Sequence, residues 1–406
     1  MLTPEQQLVE LTRGAVDVVQ REELLERLRS GRPLKVKAGF DPTRPDLHLG
    51  HTVLLQKMRQ FQDLGHDVTF LVGDFTAMVG DPTGQNELRP RLTREQVLSA
   101  ARTYQDQAFR VMDQGRTRVR FNSEWLGAIG LEKVVELAAK RTLARTLERR
   151  DFRERFEEHR DIYLHELLYP LLQGYDSVVL ECDVELGGTD QLFNLMVGRD
   201  LMQRYGLKPQ IVMTTPILEG IDARYEDGQV VGKKMSKSAD NYVGLTEEPV
   251  QMFRKCMQID DHVIWRFYEL LSSRTTSEIA ELTAKGDPLA AKAAFSHEIV
   301  ARFHGAGAAQ SAERTFRSTY LGDGVPAEVP EVDVAAEGGK LLLAKALASA
   351  RLVSSNGEGR RLIQQGGVEV DGESVRDGFF ELEAGRDYLV RVGSKNRRFC
   401  RIRVRA

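Results

Sequence analysis

Two short stretches of this 406-residue chain set cations among small residues in a way that suits an anion. "HLGH" places His48 and His51 around Leu49 and Gly50 where an amphipathic run begins, and "GKKMSKSADN" sets Lys233, Lys234 and Lys237 beside a glycine and two serines. A helix start offers unpaired N–H groups and the positive end of the helix dipole, so histidines there can complete a phosphate site. Each stretch alone also has a plain structural reading, since histidine can cap a helix and most lysine runs are solvated turns. Tyr169, Gln173 and Asp176 form a third set, spaced four and three apart, which places all three on one helix face around a single small molecule. "GGTDQ" (187–191) adds two glycines for close approach at a strand-to-helix junction, followed by Asp190 and Gln191.

The surrounding pattern says what must hold these groups. "LKVKAGF" reads as a strand, "GHTVLLQKMRQFQDLG" as an amphipathic helix stopped by Gly65, and "HDVTFLVGDF" as a second strand, which together make a βαβ unit and imply a parallel sheet. "TREQ" is a capping box opening a further helix, "RVRFN" a third strand, and "PQIVMTTPIL" a buried strand just before the lysine loop. The interleaved charges of "RTLARTLERRDFRERFEEHR" predict a solvated helix. Residues 1–240 therefore read as one doubly wound α/β domain. Ligands of such sheets bind beyond the carboxyl ends of the strands. His48 and His51 at one strand exit and the lysine loop at another then converge on one crevice, and two cationic elements in one crevice suit a polyphosphate.

Residues 241–321 turn helical, and "GDGVPAEVPEVDVAAEGG" (322–339) reads as a linker. Residues 340–406 carry 14 Lys and Arg against 8 Asp and Glu, a basic module on an acidic body, which points to nucleic acid. Its helix pair and strand-rich end predict a small α+β fold. Cys182, Cys256 and Cys400 lie far apart without a CxxC, so disulfide and zinc readings fail. No apolar run is long enough for a membrane span, and the N-terminus lacks targeting character, which predicts a cytoplasmic protein.

"HLGH" resembles the HIGH signature of the class I aminoacyl-tRNA synthetases with Leu for Ile, and "KMSKS" (234–238) matches their second signature letter for letter. Between them, "GFDPT", "GDPTG" (80–84), "YPLLQGYD" (169–176) and "GGTDQ" are similar to the tyrosyl-tRNA synthetases of that class, and the resemblance covers essentially the whole chain. It implies a Rossmann-like catalytic domain over 1–240, an α-helical domain over 241–321 that takes the anticodon arm, and an RNA-binding module over 340–406 like one first seen in a small-subunit ribosomal protein. The implied reaction forms tyrosyl-adenylate and then charges tRNA(Tyr). ATP enters as substrate with Mg²⁺, no metal is held tightly by the protein, and the enzyme is a homodimer without membrane or DNA partners. By the same resemblance Thr43, His48, His51, Lys234 and Lys237 act on the polyphosphate, and Asp41, Gly50, Gly188 and Asp190 complete the ATP site. Asp81, Tyr169 and Gln173 would take the tyrosine α-ammonium group, Gln191 its carboxylate side, and Asp176 its phenolic hydrogen. Arg360, Arg361, Lys395, Arg397 and Arg398 would meet RNA phosphates. At Lys37 the chain departs from many members, which carry a tyrosine there as a second contact to the substrate hydroxyl. Two other readings compete: a small α/β nucleotidyltransferase, which also uses HxGH, and a non-catalytic RNA-binding relative.

Overall fold

Six strands make the sheet that carries the site: β1 (Val18–Val19), β2 (Lys35–Phe40), β3 (Asp67–Val72), β4 (Thr117–Phe121), β5 (Val184–Gly188) and β6 (Ile211–Thr215), in the order β1-β6-β5-β2-β3-β4. All neighbours are parallel except the short edge strand β1, which runs antiparallel to β6. Strands covered on both faces need apolar side chains almost throughout, and β6 (IVMTT) is buried along its whole length. The chain steps from β2 to β3 to β4 on one side, then returns to the other side of β2 for β5 and β6. The order therefore reverses between β2 and β5, and a crevice opens beyond the carboxyl ends of these two strands. Asp41 follows β2 and Gly188 ends β5, so both stand at its mouth.

The computed structural model describes residues 2–42, 47–82, 93–321, 329–336, 338–393 and 398–405. It divides into two compact units, Met1–Ala306 and Gly307–Ala406. Most of the expected helical segment 241–321 thus belongs to the same unit as the sheet. The reason is packing: the Ile264–Leu271 helix, with Ile264, Phe267 and Leu271 buried, lies against the Leu49–Asp63 helix. Arg13 also reaches across to donate to the carbonyls of Arg274 (2.5 Å) and Ser272 (3.1 Å).

The charged run around residue 150 is not one solvated helix. Thr142 caps a short helix, Leu143–Thr146, and a second follows at Arg150–Glu157. Arg155 is buried and makes a two-pronged contact with Glu166 at 2.5 and 2.9 Å, so part of the charge is structural. A hairpin the sequence reading missed, Arg224–Glu226 with Gln229–Val231, turns on Asp227 and Gly228, both at positive φ (48° and 83°). The Asp-Gly pair is the signature of a type I′ turn and could have revealed it.

In the second unit, the helices Leu343–Ser349 and Asn356–Gln364 accompany a five-stranded sheet. One of its strands is Glu331–Ala335, parallel to Arg401–Arg405, so the described part of the expected 322–339 linker is not structureless. Val332 and Val334 pack on the core, whereas Glu331 and Asp333 pair with Arg403 (2.5 Å) and Arg405 (2.9 Å). This two-residue alternation was visible as VDVA beneath the prolines.

Candidate active site

His48 is the N-cap of the Leu49–Asp63 helix, with extended backbone. Its Nδ1 accepts the Gly50 N–H at 3.2 Å, and His51 Nδ1 accepts the His48 N–H at 3.2 Å. With both Nδ1 atoms accepting, a neutral imidazole at either position carries its proton on Nε2, where it can donate. The two rings lie 4.0 Å apart. Gly50 sits in a crowded place: a Cβ there would stand 3.0 Å from the His48 ring, which would have to give way.

The lysine loop is anchored at both ends. Met235 is fully buried and donates its N–H to the Leu218 carbonyl at 2.9 Å, while Lys234 bridges to Glu219 across a short antiparallel contact. Buried Asn241 accepts the Ser236 N–H (2.9 Å) and donates to Asp222 (3.0 Å). The chain beyond Asn241 returns to the histidines: His48 bridges Gly244, and the Leu49 N–H donates to the Val243 carbonyl at 3.0 Å. The two sequence motifs are thereby joined through the backbone. A chamber of about 200 Å³ lies between them, lined by His48, Gly50, His51, Thr215, Lys234 and Met235 among others, with no acidic side chain among its described lining residues. Lys237 is exposed and is not among them.

Phe40, Leu54, Tyr104 and Gly188 wall this chamber from a second, deeper pocket of about 310 Å³ and line both. The deeper pocket has the opposite charge. Asp41, Asp81, Asp176, Glu185 and Asp190 line it, and its described lining residues include no Lys, Arg or His. Asp176 lies at a buried position, its Oδ1 accepting from Trp125 Nε1 at 2.8 Å and its Oδ2 from Asn122 Nδ2 at 3.3 Å. The Tyr169 hydroxyl donates to Asp41 Oδ2 at 2.8 Å, and Thr76 Oγ1 donates to Asp41 Oδ1 at 2.8 Å. Gln191 Nε2 donates to Asp81 at 2.8 Å and its Oε1 accepts from Asn194 at 3.0 Å, which fixes the amide. Two glycines make room: a Cβ at Gly73 would sit 2.0 Å from Asp41 Oδ1, and one at Gly188 2.5 Å from Asp190 Oδ1.

This crowding of acids has an electrostatic cost. Burial pushes the Asp176 carboxyl up to about 7, against the pull of the Lys37 charge and the Trp125 and Asn122 hydrogen bonds. Burial and the Asp81 charge push Asp41 up to about 7 as well, against the Thr76 and Tyr169 hydroxyls. Burial, with Asp41 next, raises Tyr169 well above an ordinary phenol, so it stays a donor. A carboxyl raised on folding stabilises the fold below its unfolded value near 3.8 and loses that contribution as pH rises through about 7. Asp176→Asn removes this contribution. The melting temperature of ligand-free Asp176→Asn should therefore gain on that of the unchanged protein as pH rises from about 4 to about 7, read by thermal denaturation across that range.

Residues 29–320 match the family model for tRNA synthetases class I (W and Y), and residues 342–386 match the S4 domain. The chain belongs to the class I synthetase family of W and Y. The synthetase is 52% identical over 406 residues to the tyrosine–tRNA ligase of Geobacter metallireducens, covering 98% of each chain. It is 51% identical over 405 residues to that of Geobacter sulfurreducens, again over 98% of each. In fold it is similar to the tyrosyl-tRNA synthetase of Archaeoglobus fulgidus solved with L-tyrosine, at a TM-score of 0.59 and 24% identity over 76% of this chain and 99% of that one.

Within this synthetase the expected residues separate by chamber. His48, Gly50, His51 and Lys234 line the cationic one, Asp81, Tyr169, Gln173, Asp176, Asp190 and Gln191 the acidic one, and Gly188 both. Asp41, expected with ATP, lies in the acidic pocket as the partner of Tyr169. Thr43, Lys395 and Arg397 fall outside the described residues. In the second unit Arg360 and Arg361 are exposed on the Asn356–Gln364 helix, the Arg360 guanidinium lies 4.6 Å from the Phe379 ring centre, and exposed Arg398 opens the last strand. Thr76, Asn122 and Trp125, which hold the acids, were missed by the sequence reading. Asn122 directly follows the carboxyl end of β4, the end where a doubly wound sheet keeps its ligand, and that rule was the available signal.

Proposed function

We propose that this synthetase is a tyrosine–tRNA ligase: it activates L-tyrosine with ATP to tyrosyl-adenylate and pyrophosphate, then transfers tyrosine to the terminal ribose of tRNA(Tyr). The observation that carries this reading is the charge division of the site. An acid-lined pocket suits the α-ammonium group of an amino acid, with buried Asp176 poised to accept a phenolic hydrogen. The adjoining chamber, with two Nε2 donors and Lys234 and no acid among its described lining residues, suits the ATP polyphosphate.

The chemistry follows from that placement. The tyrosine carboxylate is already an anion, so attack on the α-phosphorus needs no general base; the bond to the pyrophosphate oxygen breaks as the carboxylate–phosphorus bond forms. Tyr169, Gln173 and Asp81 orient the ammonium group, and Gln191 the carboxylate side. Asp190 suits a ribose hydroxyl, and Asp41 holds Tyr169 in place. His48, His51, Lys234 and Lys237 neutralise charge that accumulates on departing pyrophosphate, and the family resemblance adds Thr43 to these phosphate contacts. Bound with the polyphosphate as part of the substrate, Mg²⁺ would supply further neutralising charge there. A pocket built to pair with a hydroxyl rejects phenylalanine, which displaces water from the buried Asp176 carboxyl and offers no donor beyond those of Trp125 and Asn122. ATP–pyrophosphate exchange tests the reading: tyrosine should drive it and phenylalanine and tryptophan should not. Absence of exchange with any amino acid would leave RNA binding alone.

The rest of the assembly belongs to the same proposal. The helical segment 241–321 takes the anticodon arm, and Arg360, Arg361, Lys395, Arg397 and Arg398 contact RNA phosphates, making tRNA affinity fall steeply with salt. Exposed Leu131, Val135, Leu143, Phe156 and Leu164 concentrate within one segment of the first unit, which supports a homodimer. Leu131→Glu with Leu164→Glu is expected to give monomers in analytical ultracentrifugation; an unchanged dimer would place the interface elsewhere. Among the described residues no helix is long and apolar enough to cross a membrane, and the proposed location is the cytoplasm, where tRNA is charged.

A further inference from the structure

Lys37 on β2 stands directly opposite Glu185 on β5 in the sheet register, so both side chains leave the sheet on one face. Lys37 Nζ meets Glu185 Oε1 at 2.6 Å, with both side chains almost wholly buried. The second carboxylate oxygen of Glu185 accepts from Ser177 Oγ at 3.0 Å and from Gln210 Nε2. Ser177 is the residue after Asp176 on the Leu164–Leu180 helix, so the ion pair is tied by one hydrogen bond to the turn that carries Asp176. Glu185 lines the acidic pocket, whereas Lys37 does not. A buried ion pair of this kind is an expensive way to fill space, because apolar side chains of similar volume usually serve as well.

We propose that Lys37 is a positioning residue for substrate selection: paired with Glu185 at the pocket wall and tied through Ser177 to the turn that carries Asp176, its ammonium favours the carboxylate form that accepts the substrate hydroxyl, without touching the substrate. The inference rests on the tyrosine reading above and adds a source for the charge state of Asp176. The other charges around Asp176 work against ionisation or are engaged elsewhere. Glu185, Asp41 and Asp81 are acids lining the same pocket, and Tyr169 on the same helix is a neutral donor. Asp74, on the neighbouring Asp74–Val79 helix, is held by Ser123. On the packed Leu192–Arg204 helix, Arg199 turns to Glu23 and the Gln210 carbonyl, while Lys133 of the Leu131–Ala139 helix lies over the Tyr205 and Tyr175 rings. Cys182 is buried and pushed up to about 12, hence neutral. Burial, the largest single influence, would lower Lys37, but the raising contributions of its neighbours, the Glu185 charge first among them, together outweigh it and keep the ammonium charged.

The test is the pH profile of KM for tyrosine in ATP–pyrophosphate exchange, measured on the full chain and on Lys37→Met and Lys37→Arg. Loss of the cation should move the rise in KM toward higher pH by about one unit, which makes KM roughly fivefold higher at pH 7 and within about 1.5-fold by pH 8.5, with kcat little changed. Lys37→Arg should keep the original profile. Should Lys37→Met fail to fold with Glu185 left alone, Lys37→Met with Glu185→Gln replaces it, with a displacement in the same direction but smaller. A loss of tyrosine binding equal at every pH, or profiles that superimpose, overturns the inference. No tyrosine-dependent exchange in the unchanged enzyme would instead overturn the tyrosine reading itself.

Discussion

Asp176→Ala is expected to lower kcat/KM for tyrosine in pyrophosphate exchange by about a thousandfold and to erase most of the preference over phenylalanine. The carboxylate is buried, and Trp125 Nε1 and Asn122 Nδ2 both point at it. Truncation removes the acceptor for the phenolic hydrogen and also leaves two buried donors without their partner, each a cost of about 1–3 kcal/mol. The loss should lie mainly in KM, because the contact is made in ground state and transition state alike. Phenylalanine, which gives the intact carboxylate no donor in place of the water it displaces, should gain in relative terms. A loss below tenfold would mean that the phenol is recognised elsewhere.

Lys234→Ala should do the reverse. Its lysine lines the cationic chamber and not the acidic pocket, so tyrosine binding should be unchanged while adenylate formation slows by roughly two to three orders of magnitude, the usual effect of removing one charge-stabilising donor. Lys237→Ala should behave alike, with the difference that Lys237, on the turn between the Met235 and Asn241 anchors, does not line the chamber and must swing inward to act. Single-turnover measurements separate the steps, and the fluorescence of Trp125, hydrogen-bonded to Asp176, offers a probe of tyrosine binding. An equal loss of tyrosine affinity in either variant would contradict the division of the site.

The contrast between these variants marks what the amino-acid sequence reveals and what it hides. "HLGH" and "KMSKS" announce a pair of cationic elements, and the βαβ pattern places both at the carboxyl ends of the strands. Their joining through His48–Gly244 and Leu49–Val243 depends on the segment after Asn241, which carries no local signal. Tyr169, Gln173 and Asp176 are legible because a helix converts spacing into a shared face. Trp125 and Asn122 are not, since they reach Asp176 from about fifty residues away, and only the sheet order brings them together. Lys37 shows the same limit: alternation marks it as a strand residue, but its partner Glu185 lies 148 positions later, fixed by β2–β5 pairing. Asp41 illustrates a different one, as its place at the strand exit fits either chamber until the Tyr169 hydroxyl is located.

The two-chamber site can be tested by a crystal structure of the full chain with a non-hydrolysable tyrosyl-adenylate analogue. The prediction is a phenolic oxygen about 2.7 Å from an Asp176 carboxylate oxygen, the ammonium group among Asp81, Tyr169 and Gln173, and the phosphate turned toward His48, His51 and Lys234. An analogue bound with its phenol away from Asp176, or with its phosphate outside the histidine–lysine chamber, would contradict it.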